Sequence, residues 1–206
     1  MNSYIVGLLA TDGYTEEYIS KKTGEITYNC SIELKDNDVL EKIASEYDIP
    51  IHYRERVIKN KNREFYSIYF KTSQVREIGR YLVNSKQDLY AYYINAKDKN
   101  AFIRGVFDGD GSVCYYSGRK TLRIGFTINS DHVSILKILK DYFEANDITY
   151  SVYLDKRGNK SYNLSIGSKE SVSKLFNLMY SDKSNLWLER KYKIFINNGF
   201  PKPETV

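Results

Sequence analysis

At 206 residues and 24.1 kDa, with a net charge of +5 and a pI near 8.9, the chain suffices for one domain or two small ones. Its modest basic excess is compatible with nucleic acid but does not require it. Two cysteines outside any metal-ligand spacing and two isolated histidines exclude zinc sites and locally encoded Ser-His or Cys-His catalysis, leaving reduced thiols as the expectation. An apolar run of about 18 residues and a charged-then-apolar leader are both missing, so the expected protein neither spans a membrane nor is secreted, and is cytoplasmic.

The first element is an apolar run, Tyr4-Ile5-Val6-Gly7-Leu8-Leu9-Ala10-Thr11-Asp12-Gly13, predicted to be a helix that stops at Asp-Gly. Ile26, Tyr28, Cys30, Ile32 and Leu34 then alternate as one buried face of a strand. A helical stretch through Val39, Leu40 and Ile43 follows, then a strand opening at Asp48-Ile49, a strand through Tyr66, Ile68 and Phe70, and a helix over 73–83. A polar turn carries Lys86, and the short segment 95–100 is the only plausible joint.

Beyond that joint the pattern repeats. Phe102-Ile103-Arg104-Gly105-Val106-Phe107-Asp108-Gly109-Asp110-Gly111 is a second apolar run ending in Asp-Gly, with Asp110 lying 98 positions after Asp12. Leu122, Ile124, Phe126 and Ile128 alternate, and Val133, Leu136 and Leu139 are matched to the first helical stretch. Asp147-Ile148, then Tyr162, Leu164 and Ile166, then a helix over 169–180, parallel the rest. The turn with Lys183 echoes that with Lys86, and a helix from Trp187 to Phe195 is expected to pack rather than catalyse. Each half thus reads as helix, two strands, helix, two strands, helix, with boundaries at 1–97 and 98–206, and cannot easily bury its motif helix and sheet alone.

Small residues recur four apart in both copies, Gly7 with Thr11 and Gly105 with Gly109, so each pair lines one helix face and permits close backbone approach. Crossed helices would bring Asp12 and Asp110 together. Two carboxylates at one rim are costly unless a cation lies between them, and carboxylate oxygens suit Mg²⁺. A single apolar helix ending in Asp-Gly would mean only a helix stop, but the repetition argues for function. A calcium loop starting at Asp108 fails, because its twelfth position is Arg119 rather than Glu.

These residues resemble the LAGLIDADG homing endonucleases, in the form where one chain holds both halves. Ile103 to Gly111 fits the motif closely; Ile5 to Gly13 departs at Ala10 and Thr11 but keeps Gly7 and Asp12. The resemblance implies an α+β fold of two pseudo-symmetric αββαββα halves packed through the motif helices, forming a DNA-binding saddle of antiparallel sheets. It also implies a monomer, encoded in a mobile intron or intein, that cleaves both strands of a long, nearly asymmetric DNA site. Asp12 and Asp110 would be the catalytic residues holding Mg²⁺ or Mn²⁺. It favours Lys86 and Lys183 as catalytic supports, since an ammonium beside a phosphate stabilises developing charge; a solvated lysine in a polar turn is the plain alternative. Asp36 and Ser130 stand where the family often has a water-positioning Gln, a departure that touches catalytic vigour.

The strand faces opposite the core would read bases: Thr27, Asn29, Ser31, Glu33, His52, Arg54, Arg56, Ser67, Tyr69 and Lys71 in the first half, and Arg123, Thr127, Asn129, Thr149, Ser151, Tyr153, Ser161, Asn163 and Ser165 in the second. Basic turns with Lys59, Lys61 and Arg63, with Arg119 and Lys120, and with Lys156, Arg157 and Lys160 suit phosphate. Solvated sheets and protected edges look the same singly, but basic tips recur at corresponding places in both halves. Twenty tyrosines against one tryptophan fit an AT-rich coding genome as well as any function. Two other functions use the same scaffold: a DNA-binding regulator that has lost cleavage, against which both retained motif aspartates argue, and an intron RNA maturase.

Overall fold

The computed structural model describes residues 1–117, 121–157, 160–180 and 186–201. Helix α1 (Ser3–Leu9) is followed by β1 (Gly13–Ile19), β2 (Ile26–Leu34), α2 (Asp38–Tyr47), β3 (Ile51–Ile58) and β4 (Lys61–Phe70). Two short helices, α3 (Thr72–Val75) and α4 (Gly79–Leu82), a 3-10 turn (Asn84–Lys86) and α5 (Leu89–Ile94) complete the first half. The second half repeats the order with α6 (Lys99–Asp110), β5 (Gly111–Tyr116), β6 (Thr121–Asn129), α7 (Val133–Ala145), β7 (Ser151–Asp155), β8 (Ser161–Ile166), α8 (Lys169–Met179) and α9 (Glu189–Asn197). Among the described residues no helix is long and apolar enough to cross a membrane.

The expected α+β architecture is present: two four-stranded antiparallel sheets, ordered β1-β2-β4-β3 and β5-β6-β8-β7. Their registers are equivalent. Ile32 stands between Gly13 and Ile68, as Phe126 stands between Gly111 and Leu164. Period-two patterning puts Cys30, Ile32, Ile68 and Phe70 of one sheet, and Ile124, Phe126, Leu164 and Ile166 of the other, into a single core that also takes in α1 and α6. Both sheets rest on this helix pair, so the two halves share one core.

Several sequence expectations need correction. The helix expected over 73–83 is two short pieces, α3 and α4. Asp48-Ile49 and Asp147-Ile148 do not open strands. Both aspartates adopt left-handed φ, at 49° and 50°, ending α2 and closely following the end of α7, while both isoleucines fold back into the core. Val133 is not a core residue: it is 58% exposed, and α7 buries Ile135, Ile138, Leu139, Tyr142 and Phe143 instead. Counting back from the two aspartates, Leu40 corresponds to Leu139 and Val39 to Ile138, with α7 starting earlier. Ser67 lies on the outward face but is buried, covered by its neighbours on a central strand, and its hydroxyl finds no partner among the described residues. Thr149 precedes β7 rather than lying in it, its N–H donating to Ser171 Oγ.

Candidate functional site

The site is assembled where α1 and α6 cross. A Cβ on Gly7 would stand 2.1 Å from the Phe102 carbonyl oxygen, and one on Gly105 would stand 2.1 Å from that of Tyr4. The two contacts are reciprocal, since Tyr4 and Phe102 hold the same motif position, so these glycines set the closeness of the helices through a pseudo-twofold relation. One turn further on the symmetry breaks. A Cβ on Gly109 would lie 1.9 Å from Thr11 Oγ1, so Thr11 fills the space that Gly109 leaves open. The Thr11 hydroxyl also donates to the carbonyls of Gly7 and Leu8, at 3.2 and 3.1 Å, completing the end of α1. All four expected interface residues therefore lie in the helix seam.

That crossing brings Asp12 and Asp110 close enough to influence one another. Burial pushes the Asp110 carboxyl up to about 6, and the neighbouring Asp12 charge pushes the same way, against the pull of Lys86 and Lys191. Burial also raises Asp12, while Lys191, Arg190 and Lys86 hold it down. Both carboxylates are ionised at a cost in the bare protein. This donor set fits a Mg²⁺ or Mn²⁺ ion, which takes oxygen ligands, needs only one or two protein carboxylates, and offsets the repulsion between them.

Lys86 reaches this pair as expected, and the backbone shows how. Asn84, Ser85 and Lys86 all have left-handed φ, at 49°, 55° and 59°. Three consecutive non-glycine residues in that region store strain, about 1–2 kcal/mol each. The turn carries the lysine inward until it is 9% exposed, where burial lowers its pKa while Asp110 and Asp12 oppose that shift. Lys183, the expected counterpart, lies outside the described residues.

A different lysine is prominent in the second half. Lys191 of α9 is 3% exposed, and its ammonium donates to the carbonyls of Phe107 (2.6 Å), Asp108 (2.7 Å) and Gly111 (2.6 Å). These carbonyls lie at the C-terminus of α6, where helix acceptors run short of intrahelical donors, and flank Asp110, so Lys191 caps the helix end that presents the carboxylate. Burial lowers its pKa to about 8, but three donated bonds require the protonated form. Beside it, Asp108 Oδ2 accepts from Tyr4 Oη (2.8 Å) and the Leu188 N–H (2.9 Å); burial pushes this carboxyl up to about 6. Arg104, fully buried, donates to the carbonyls of Leu186 (2.8 Å) and Met179. Helix α9 also crosses to the first half, where Arg190 Nε lies 2.8 Å from Asp36 and the Glu189 N–H donates to Asp38. The sequence gives no local signal for this network, because its partners lie 75 or more positions apart.

The expected base-reading face is continuous across each sheet. His52 pairs with Ser67, and Arg56 with Arg63; Arg54 Nη2 donates to Tyr69 Oη (3.4 Å), and Arg56 Nη2 to Glu33 (2.7 Å). On the second sheet Arg123 Nε donates to Ser165 Oγ (2.5 Å) and Thr127 Oγ1 to Asn163 Oδ1 (3.0 Å). Lys59, Lys61, Lys156 and Lys160 are exposed, and Arg63 is half-buried. Arg157 is exposed but forked onto Asp155 by two side-chain bonds, at 3.1 and 2.9 Å. Arg119 and Lys120 lie outside the described residues. Next to Asp110, a cavity of about 330 Å³ is lined by Thr11, Thr127, Asn129, His132, Lys160 and Ser161, joining the helix seam to the second sheet's outward face.

Residues 97–179 match the LAGLIDADG-like domain. The intron-encoded RNA maturase bI4 of Saccharomyces cerevisiae is 26% identical over 195 residues, spanning 87% of this chain. The chain spans only 28% of that relative's length. Among solved structures, the homing endonuclease I-WcaI bound to its DNA recognition sequence superposes with a TM-score of 0.65 at 16% identity, covering 93% of this chain and 84% of that one. The endonuclease I-DmoI in complex with DNA and Mn superposes at 0.53 and 16% identity, covering 87% and 96%.

Proposed function

The chain resembles the LAGLIDADG homing endonucleases, through a LAGLIDADG-like domain at 97–179 and their fold over most of its length, and on that premise we propose a site-specific, divalent-metal-dependent double-strand DNA endonuclease. The observation that carries this reading is the pair Asp12 and Asp110, two carboxylates raised in pKa by burial, brought together by reciprocal glycine contacts and attended by a strained, buried Lys86. Mg²⁺ or Mn²⁺ held there supplies Lewis-acid activation of water and stabilisation of the leaving oxygen at a phosphodiester. Asp12 and Asp110 each serve one strand. Lys86 places positive charge where the phosphate gathers negative charge, and Lys191 holds the end of α6 so that Asp110 keeps its position. The outward sheet faces lie in the major groove, and Lys59, Lys61, Lys156 and Lys160 meet phosphates. Both motif copies lie in one chain, so a monomer completes the site, acting wherever its host DNA resides.

A plasmid library carrying diverse inserts tests this. Linearisation in Mg²⁺ or Mn²⁺, abolished by Asp12→Asn or Asp110→Asn with DNA binding retained, is expected. Cutting in a chelator, or by both variants, overturns it.

A second reading, intron RNA maturation, has its own support in the similarity to the yeast maturase. It predicts that the protein promotes splicing of an intron RNA and that both Asn variants retain this function. A non-cleaving DNA regulator has no such support, since both carboxylates and the strained lysine turn are kept.

A further inference from the structure

On the second sheet, two side chains able to read purines are held by neighbours in the orientation that such reading needs. Arg123 uses its Nε on Ser165 Oγ, at 2.5 Å. That bond fixes the guanidinium plane and leaves both terminal nitrogens as a fork, the geometry that matches O6 and N7 of guanine. Thr127 Oγ1 donates to Asn163 Oδ1 at 3.0 Å, which ties the amide to the neighbouring strand. One Oδ1 lone pair and the Nδ2 protons remain, the set that pairs with N6 and N7 of adenine. The first sheet differs: Arg54 and Arg56 each engage a terminal nitrogen, on Tyr69 and Glu33.

The two readers are ordered along the sheet. Thr127 sits directly opposite Asn163 and lines the cavity beside Asp110, so this pair lies at the inner end. Arg123 is four residues back along β6, toward the hairpin end where Tyr116 pairs with Thr121. Four strand residues span about 13 Å, and B-DNA rises about 3.4 Å per base pair, so the separation is about four base pairs.

Building on the DNA-binding reading above, we infer that the half-site bound by the second sheet carries an adenine read by Asn163 and, about four base pairs farther from the cleavage centre, a guanine read by Arg123. Ser165 and Thr127 act as positioning residues for them.

The test is selection from a randomised duplex library in metal-free buffer, with the wild type, Arg123→Ala, Asn163→Ala and Ser165→Ala, each verified as folded by thermal melting. The wild type is expected to enrich sites with both purines at that spacing. Arg123→Ala should lose only the guanine preference, by about 5- to 150-fold, and Asn163→Ala only the adenine preference by a similar factor. Ser165→Ala should weaken the guanine preference and leave adenine unchanged. Enriched sites whose base frequencies are untouched by Arg123→Ala and Asn163→Ala, or affected positions adjacent or more than about six base pairs apart, overturn the inference while leaving DNA recognition standing. No enriched site for the wild type overturns DNA recognition itself, and the inference with it.

Discussion

Replacing Asp110 by Asn should stabilise the metal-free protein at neutral pH, although it removes a residue from the heart of the site. The Asp110 carboxyl is pushed up to about 6 from an ordinary 3.8, by burial first and by Asp12 second. In the unfolded chain the same group releases its proton near 4. Between those values the native state holds a proton that the unfolded state has lost, so stability falls as pH rises from about 4 to about 6, and the full penalty persists above. Two pKa units at about 1.4 kcal/mol each, reduced for the group's partial exposure, give about 2 kcal/mol. Asparagine keeps the shape without the charge. In a chelator at pH 7.5, Asp110→Asn should therefore melt several degrees above the wild type, and the two should converge near pH 4. Added Mg²⁺ or Mn²⁺ should then stabilise the wild type and not the variant, reversing the order if binding is tight enough. A variant no more stable than wild type in chelator at pH 7.5, or an advantage undiminished at pH 4, would refute the claim that this carboxylate is forced into an unfavourable charged state.

Gly7→Ala and Gly105→Ala each drive a methyl into a backbone carbonyl and should each cost about 1–3 kcal/mol in denaturant unfolding, with comparable losses because the contacts are reciprocal. Lys191→Met removes three ammonium hydrogen bonds at the α6 end and should cost on the order of 3 kcal/mol by the same measurement; Lys191→Arg should not restore it, because a planar fork cannot replace three radial donors. In DNA-binding titrations across salt, Lys59→Ala and Lys61→Ala should each reduce the log–log slope by about 0.9, whereas Arg157→Ala should change it less, since Asp155 already balances that guanidinium.

What the sequence made legible were features whose physics is local or repeated. Gly7 and Gly105, ninety-eight positions apart, mark a backbone contact because no other residue leaves out the Cβ, and the structure places both at that contact. Period-two apolarity gave both central strands of each sheet and their pairing faces, because one buried side is enough to fix register. The break between α3 and α4, the left-handed turn at Lys86 and the extent of α7 were not legible. Each is decided by what packs against it, and the residues of 84–86 have side chains ordinary for a polar loop. Arg157 shows the same limit from the other side: a basic residue in a basic turn reads as a phosphate contact until the carboxylate two positions away is seen to hold it.

The departures between the two motif copies are where sequence and structure explain each other. Arg104 and Asp108 in the second copy stand at the positions of Val6 and Ala10 in the first. Within one helix they read as polar residues spoiling an apolar run, which argues against burial, yet both are buried. Burying them is tolerable only with partners: the carbonyls of Met179 and Leu186 for Arg104 and the Leu188 N–H for Asp108 come from the far end of the chain, and Tyr4 Oη of the first motif helix adds a second bond to Asp108. The second motif is thus the one tied to the C-terminal segment, whose Lys191 caps α6 and whose Arg190 reaches across to Asp36. The first copy has valine and alanine at these two positions and has Thr11 fill the space opposite Gly109 instead. The copies are equivalent where the helices cross and unequal where each is anchored, so a duplicated sequence builds a site with a differently supported carboxylate on each side.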